Sequence, residues 1–243
     1  MILHTASPAL GLWSSLADTA ALRLLAAADP DWLVLDAQHG LWSDATIAAA
    51  LPVLGSPAWV RVQDDRPAGI GRALDAGAAG VIVPMVESAE QAAAVVAAVH
   101  YPPRGRRSWG PAASLVGRPV VPAAEADPAC AVMVETEPAL ARVAEIAATP
   151  GLDMIFLGPF DLALALGRPL DALLDDGGPL RAVVTACHAH GLRAGAFAGD
   201  PVRGARLIEL GFTEVVVGTD AGLLAAGARA ALGDATGAGR GGY

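Results

Sequence analysis

Short apolar, β-branched runs alternate along the chain with Ala- and Leu-rich stretches of helical character. This is the pattern of strands buried on both faces, each followed by a helix that crosses back outside the sheet. The runs predict eight strands, near Ala9 to Trp13, Trp32 to Asp36, Trp59 to Val62, Gly80 to Pro84, Ala131 to Glu135, Met154 to Gly158, Arg193 to Phe197 and Glu214 to Gly218. The punctuation between them is helical. Ser88-Ala89-Glu90-Gln91 reads as a capping box before an Ala/Val helix, and Asp200-Pro201 supplies a cap and a first-turn proline. Gly77 and Gly211 follow Leu74-Asp75-Ala76 and Ile208-Glu209-Leu210, each where a helix should stop and turn into a strand. The segments from Leu74 to Pro84 and from Leu207 to Gly218 share this helix, glycine, strand order, as repeated βα units would. Eight such units close a single (β/α)8 TIM barrel, an α/β fold. A doubly wound open sheet shows the same alternation, but no strand-turn-helix GxGxxG opens the chain. No linker divides the 243 residues, so one barrel domain is expected over 1–243, with a flexible glycine-rich tail from about Gly233.

Composition narrows the partners. Hydrophobic residues make up 54% of the chain and charged residues 17%, which leaves ample apolar surface to bury. The formal net charge of -9 argues against nucleic acid or an anionic membrane, both of which need a basic footprint, and favours small-molecule ligands. The first seventeen residues lack a basic n-region and contain His4, Pro8 and Gly11, unlike a secretory signal, and no eighteen apolar residues run together. Cys130 and Cys187 are isolated, without metal spacing, as expected of a reducing cytoplasm. All 16 basic residues are arginines. With no lysine, Schiff-base chemistry, a phosphate-loop lysine and pyridoxal-phosphate attachment are all excluded.

Active sites of such barrels lie at the carboxyl ends of the strands, and it is there that this chain carries its polar residues. The second strand ends in Asp36-Ala37-Gln38-His39-Gly40, the third carries Arg61, the fifth ends in Glu135 and the sixth runs into Gly158-Pro159-Phe160-Asp161. Each has a structural alternative. His39 could be a loop histidine, Asp161 the cap of a helix starting at Leu162, Glu135 a first-turn acid, and Arg61 a salt-bridge partner. Their joint placement on one rim favours a site. Two carboxylates on adjacent strands, with no cysteine or histidine pair nearby, make an oxygen-rich donor set suited to Mg²⁺ or Mn²⁺. An ion held there can chelate the carboxylate and keto oxygen of a 2-oxo acid and stabilise its enolate, with His39 as base and Arg61 as donor to the oxyanion. Asp75, an acid at the carboxyl end of a helix, opposes the dipole and could pair with His39 or simply face solvent. The cluster Arg104-Gly105-Arg106-Arg107 could receive an acidic acceptor, but a surface or subunit-contact loop is the better reading. His100, His188 and His190 show no ligand geometry.

Five motifs in order, Asp36-Ala37-Gln38-His39-Gly40, Val81-Ile82-Val83-Pro84-Met85-Val86, Tyr101-Pro102-Pro103-Arg104-Gly105, Val134-Glu135-Thr136 and Gly158-Pro159-Phe160-Asp161-Leu162, resemble the HpcH/HpaI aldolase family. These are class II, metal-dependent pyruvate aldolases, and the spacing is similar to that of 4-hydroxy-2-oxoheptanedioate aldolases. The likeness runs from Gly11 to about Leu232. It implies Glu135 and Asp161 as metal carboxylates for Mg²⁺ or Mn²⁺, with Co²⁺ a further candidate. It also implies His39 as base, Asp75 as the acid that tunes it, and Arg61 as the enolate-stabilising arginine. The backbone at Phe160 and Asp161 matches the segment that holds the pyruvate carboxylate, with Trp13 and Gly158 expected to complete the substrate contacts. Asp36 and Gln38 stand behind the metal's waters. A homo-oligomer, a hexamer or trimer of dimers with exchanged terminal helices, is implied as well. Two departures mark this chain: Gln38 replaces a glutamate and Met133 a glutamine.

The expected reaction is reversible aldol addition between pyruvate, or a close 2-oxo acid such as hydroxypyruvate, and an aldehyde. A CoA-ester lyase of the citrate-lyase β-subunit type is the alternative, though no basic stripe beyond Arg104 to Arg107 would receive the nucleotide. A non-catalytic barrel binding a metal-chelated acid is a third, favoured by Gln38 and Met133 and opposed by the intact His39, Arg61, Glu135 and Asp161.

Overall fold

Eight short parallel strands lie side by side in chain order and the last pairs with the first, so the sheet closes into a barrel with no free edge. The strands of this computed structural model, which describes residues 7–117 and 119–237, are β1 (Ala9–Ser14), β2 (Trp32–Asp36), β3 (Trp59–Arg61), β4 (Gly80–Val83), β5 (Ala129–Val134), β6 (Met154–Leu157), β7 (Arg193–Phe197) and β8 (Glu214–Thr219). Around them run α1 (Thr19–Ala27), α2 (Asp44–Leu54), α3 (Pro67–Asp75), α4 (Ala89–Val99), α5 (Glu137–Ala141) and α6 (Val143–Ala147). The outer layer is completed by α7 (Pro159–Ala165), α8 (Leu170–Asp176), α9 (Gly178–His190), α10 (Pro201–Leu210) and α11 (Asp220–Gly237). The expected barrel is therefore the observed one. The expected tail begins at Gly233, whereas α11 continues to Gly237; residues 238–243 lie outside those described.

Alternation along each strand sorts the core into two bodies. Residues such as Leu33, Leu35, Val60, Val81, Val83, Val132 and Ile155 face outward and meet the helices. Trp13, Trp32, Trp59, Met133, Met154 and Phe156 point inward and fill the barrel, with the Trp13 and Phe156 rings stacked at 5.8 Å. A filled interior leaves no pore, so ligands must enter at the rim.

Helix starts follow local chemistry. Ser43 caps α2 in a capping box with Thr46, satisfying two otherwise orphaned amides. At α4 the Ser88 side chain accepts from the Gln91 amide as expected, but Gln91 reaches back one residue further, to the amide of Glu87. Asp200 caps α10 with Pro201 in its first turn, and Gly211 ends it in the left-handed region at φ 105°. Both cysteines are buried, and burial pushes each thiol up to about 12. Among the described residues no helix is long and apolar enough to cross a membrane.

Candidate active site

A cavity of about 170 Å³ opens among the carboxyl ends of the strands, walled by Trp13, Met133, Phe156, Phe160 and Phe197 and edged by Ser15, Asp36, His39, Arg61 and Asp161. A second cavity of about 200 Å³ lies outside the barrel against α2 and α3. Its charged residues, Asp44, Asp64, Arg66 and Arg72, are tied in the pairs Arg72–Asp44 and Arg66–Asp64. The first is lined by Asp36, His39, Arg61 and the Gly158-Pro159-Phe160-Asp161 segment singled out in the sequence, and Glu135 lies behind Gly158.

Asp36 organises one side. Buried at the end of β2, its carboxylate accepts from Arg61 Nε at 2.8 Å and Nη2 at 2.6 Å, a two-point clamp. The same carboxylate accepts from the amides of Gln38 at 3.0 Å and His39 at 3.2 Å, folding the loop back over the strand end. Burial pushes the Asp36 carboxyl up, but the Arg61 guanidinium and the His39 amide outweigh it and hold the group below the usual carboxylate range. Arg61 lies over the Trp13 ring at 5.0 Å. Because Nε and Nη2 go to Asp36, Nη1 is the guanidinium edge left for a ligand. Arg61 is thus both a salt-bridge partner and a wall of the cavity. Gln38 is half-buried, and its Oε1 has no hydrogen-bond partner among the described residues.

Glu135 and Asp161 form the opposite side. Glu135 follows β5 and is buried; its Oε1 accepts from the Met85 amide at 2.8 Å, for which Met85 adopts φ 57° in the left-handed region. Burial raises the Glu135 carboxyl, the Met85 amide lowers it, and the charge and hydrogen bonding of Asp161 raise it again, with a net shift upward. Gly158 makes the approach possible, since a Cβ there would stand 2.6 Å from Glu135 Oε2. Asp161 does not cap the next helix. α7 starts at Pro159, Gly158 occupies the cap position with no side-chain bond, and Asp161 is left in the first turn with its carboxyl toward the cavity. The earlier start follows from Pro159, whose fixed φ suits a first helical position.

Two acids this close repel unless a proton or a cation stands between them, and their oxygens suit a hard divalent ion. Among the described residues no cluster of three or more His, Cys, Asp or Glu offers a denser site, so water and substrate oxygens would fill the remaining positions.

Asp75 is placed differently from expectation. Its carboxylate accepts from Arg107 Nη2 at 2.6 Å, and among the described residues no hydrogen bond or ion pair joins it to His39. The nearby guanidinium of Arg107, lying over the Tyr101 ring at 4.6 Å, supplies the positive charge that an acid at a helix end lacks. Arg104 pairs with Asp127 at 2.6 Å, and neither arginine lines the cavity. Ser14 and Asp220, at the ends of β1 and β8, carry no motif that marks them in the sequence. Their role shows only in contacts across more than 200 residues of sequence.

The chain is similar to known proteins over nearly its whole length. The family model described as HpcH/HpaI aldolase/citrate lyase matches residues 9–226. A hydroxypyruvate/pyruvate aldolase of Rhizorhabdus wittichii is 35% identical over 94% of this chain and 94% of its own. A 2-dehydro-3,6-dideoxy-6-sulfogluconate aldolase of Pseudomonas putida is 34% identical over 92% and 91%. A solved HpcH/HpaI aldolase/citrate lyase family protein from Burkholderia cenocepacia superposes with a TM-score of 0.83 at 31% identity, covering 94% of this chain and 95% of that one.

Proposed function

We propose, from the premise that this chain belongs to the HpcH/HpaI aldolase/citrate lyase family and is a carbon–carbon lyase, that it joins a pyruvate-like 2-oxo acid reversibly to an aldehyde. The observation that carries the reading is the meeting of the Glu135 and Asp161 carboxyls, with Asp161 on the edge of the cavity that Arg61 and His39 also line. Those two carboxylates would hold Mg²⁺ or Mn²⁺. Such an ion, when bound, supplies Lewis-acid charge toward the oxygens of the 2-oxo acid.

The chain's own residues supply the rest. Arg61, held flat by Asp36, offers its free edge to the oxygen on which negative charge builds when the acid loses a proton. His39, exposed on the rim with its backbone fixed by Asp36, takes that proton from the carbon next to the carbonyl and returns it in cleavage. The first-turn amides of Phe160 and Asp161 receive the substrate carboxylate. Trp13, Phe156 and Phe197 exclude water from the donor, with Trp13 held edge-on to Phe197 at 5.2 Å. No lysine competes as a Schiff-base nucleophile. Two buried free thiols fit a reducing cytoplasm.

The test is proton exchange without any acceptor aldehyde. With Mg²⁺ or Mn²⁺ and pyruvate in D₂O, deuterium should enter the methyl group. Glu135→Ala should abolish this, and His39→Ala should slow it by about 10²- to 10⁴-fold while sparing metal binding. Absence of exchange with every divalent ion tried would overturn the reading.

A further inference from the structure

We infer that Asp220, a residue outside the cavity, is a positioning residue for His39, acting from the end of β8, two strands away, through Ser14, Ser15 and Trp42. The inference rests on the reading of His39 as the base.

Asp220 opens α11 directly after β8 and is 4% exposed. Its carboxylate accepts from the Ser14 hydroxyl at 2.8 Å, the Ser15 amide at 3.0 Å, the Leu16 amide at 3.0 Å and its neighbour Ala221 at 2.8 Å. None of these is ordinary helix capping, which Thr219 supplies by accepting from the Gly222 amide at 2.9 Å. The first three fix the loop that leaves β1.

That loop in turn fixes the one carrying His39. The Ser14 hydroxyl, while donating to Asp220, accepts from the buried Trp42 indole N–H at 3.1 Å. The Ser15 carbonyl accepts from the Leu41 amide at 2.7 Å. Gly40 is wedged between, since a Cβ there would lie 2.3 Å from the Asp36 carbonyl oxygen and 3.1 Å from Ser15 Cα. The segment from His39 to Trp42 is therefore clamped twice, by Asp36 at its start and by Ser14 and Ser15 at its end. Asp220 holds the second clamp. Helix capping alone would need neither Ser14 nor Trp42, and closing the barrel seam needs no carboxylate facing three donors from one loop.

Proton transfer is steep in distance, and misplacing a catalytic group by 1 Å can cost about 10²-fold. Asp220→Asn keeps the shape but turns an N–H donor toward the Ser15 and Leu16 amides or the Ser14 hydroxyl. Trp42→Phe keeps an aromatic ring but deletes the hydrogen bond along with part of the buried indole. Each would be made alone and combined with His39→Ala in the full chain, with methyl deuterium exchange, pyruvate KM and thermal melts recorded. Asp220→Asn should lower the exchange rate by about 10- to 100-fold. The pyruvate KM should stay nearly constant, because the donor is held by Arg61 and the α7 amides. In the His39→Ala background neither change should slow exchange further, since the group they position is gone.

Losses that multiply in the double variants would assign Asp220 to general stability and overturn the inference alone. So would full activity in a folded Asp220→Asn. If Asp220→Asn fails to fold, Trp42→Phe and its double variant make the same comparison. If His39→Ala itself leaves exchange unchanged, the base assignment falls and the inference falls with it.

Discussion

Replacing Asp36 with asparagine breaks the buried pair with Arg61 at nearly constant shape, because the change removes the charge and turns one acceptor into an N–H donor. The Asp36 and Arg61 side chains are 3% and 10% exposed, so breaking the pair strands a buried guanidinium at a cost of about 3 kcal/mol. The sign of its pH dependence follows from the lowered carboxyl. Stability from an acid held below its ordinary value is complete above about pH 4 and is lost as pH falls through the lower folded value. The stability gap between wild type and Asp36→Asn, measured by urea titration, should stay level from neutral pH down to about pH 5 and shrink below about pH 4. A gap that widens on acidification would contradict the pairing. Gly158→Ala tests the other side of the cavity. With Glu135 Oε2 only 2.6 Å from the added carbon, the carboxylate must swing away, and Mn²⁺ affinity by calorimetry should fall by about 10- to 100-fold.

At the scale of elements, the caps make the cheapest predictions. Ser43→Ala removes the capping box of α2 without touching the cavity, so it should cost about 1 kcal/mol and lower Tm by about 2–4 °C with turnover unchanged. The strands were legible because burial on both faces leaves runs of Val, Ile and Leu that nothing else explains. Their ends were less so: β5 begins at Ala129 rather than Ala131 and stops at Val134, which leaves Glu135 just outside the ladder. Asp161 shows why helix starts mislead. An aspartate before a leucine-rich run looks like a cap, but Gly158-Pro159 had already started the helix. Asp75 marks a further boundary, since its partner Arg107 lies 32 residues on in a loop whose path no local pattern fixes. Asp36, His39, Arg61, Glu135 and Asp161 could be found because strand ends in a barrel share one rim. The amide of Met85 that holds Glu135 could not, because a backbone group at positive φ leaves no side-chain signature.

For the molecule as a whole, apolar side chains remain exposed near the cavity and along the outer layer. Phe160 is 43% exposed, Met85 51% and Leu224 68%. Surface of this kind beside a site is commonly covered by a second copy. Light scattering should therefore give a particle several times the mass of one chain, and a monomer at micromolar concentration would count against the oligomer that the family resemblance implies. The charge of -9 sets the long-range field, which favours a cation-loaded site and disfavours polyanions. The buried thiols carry a practical consequence. Cys130 and Cys187 are sealed in the wall and the chain has no lysine side chain, so maleimides and activated esters have no side chain on the surface to couple with. One cysteine written into an exposed helix position, such as Arg229→Cys, would then be the sole exposed thiol for a dye, a spin label or a tether.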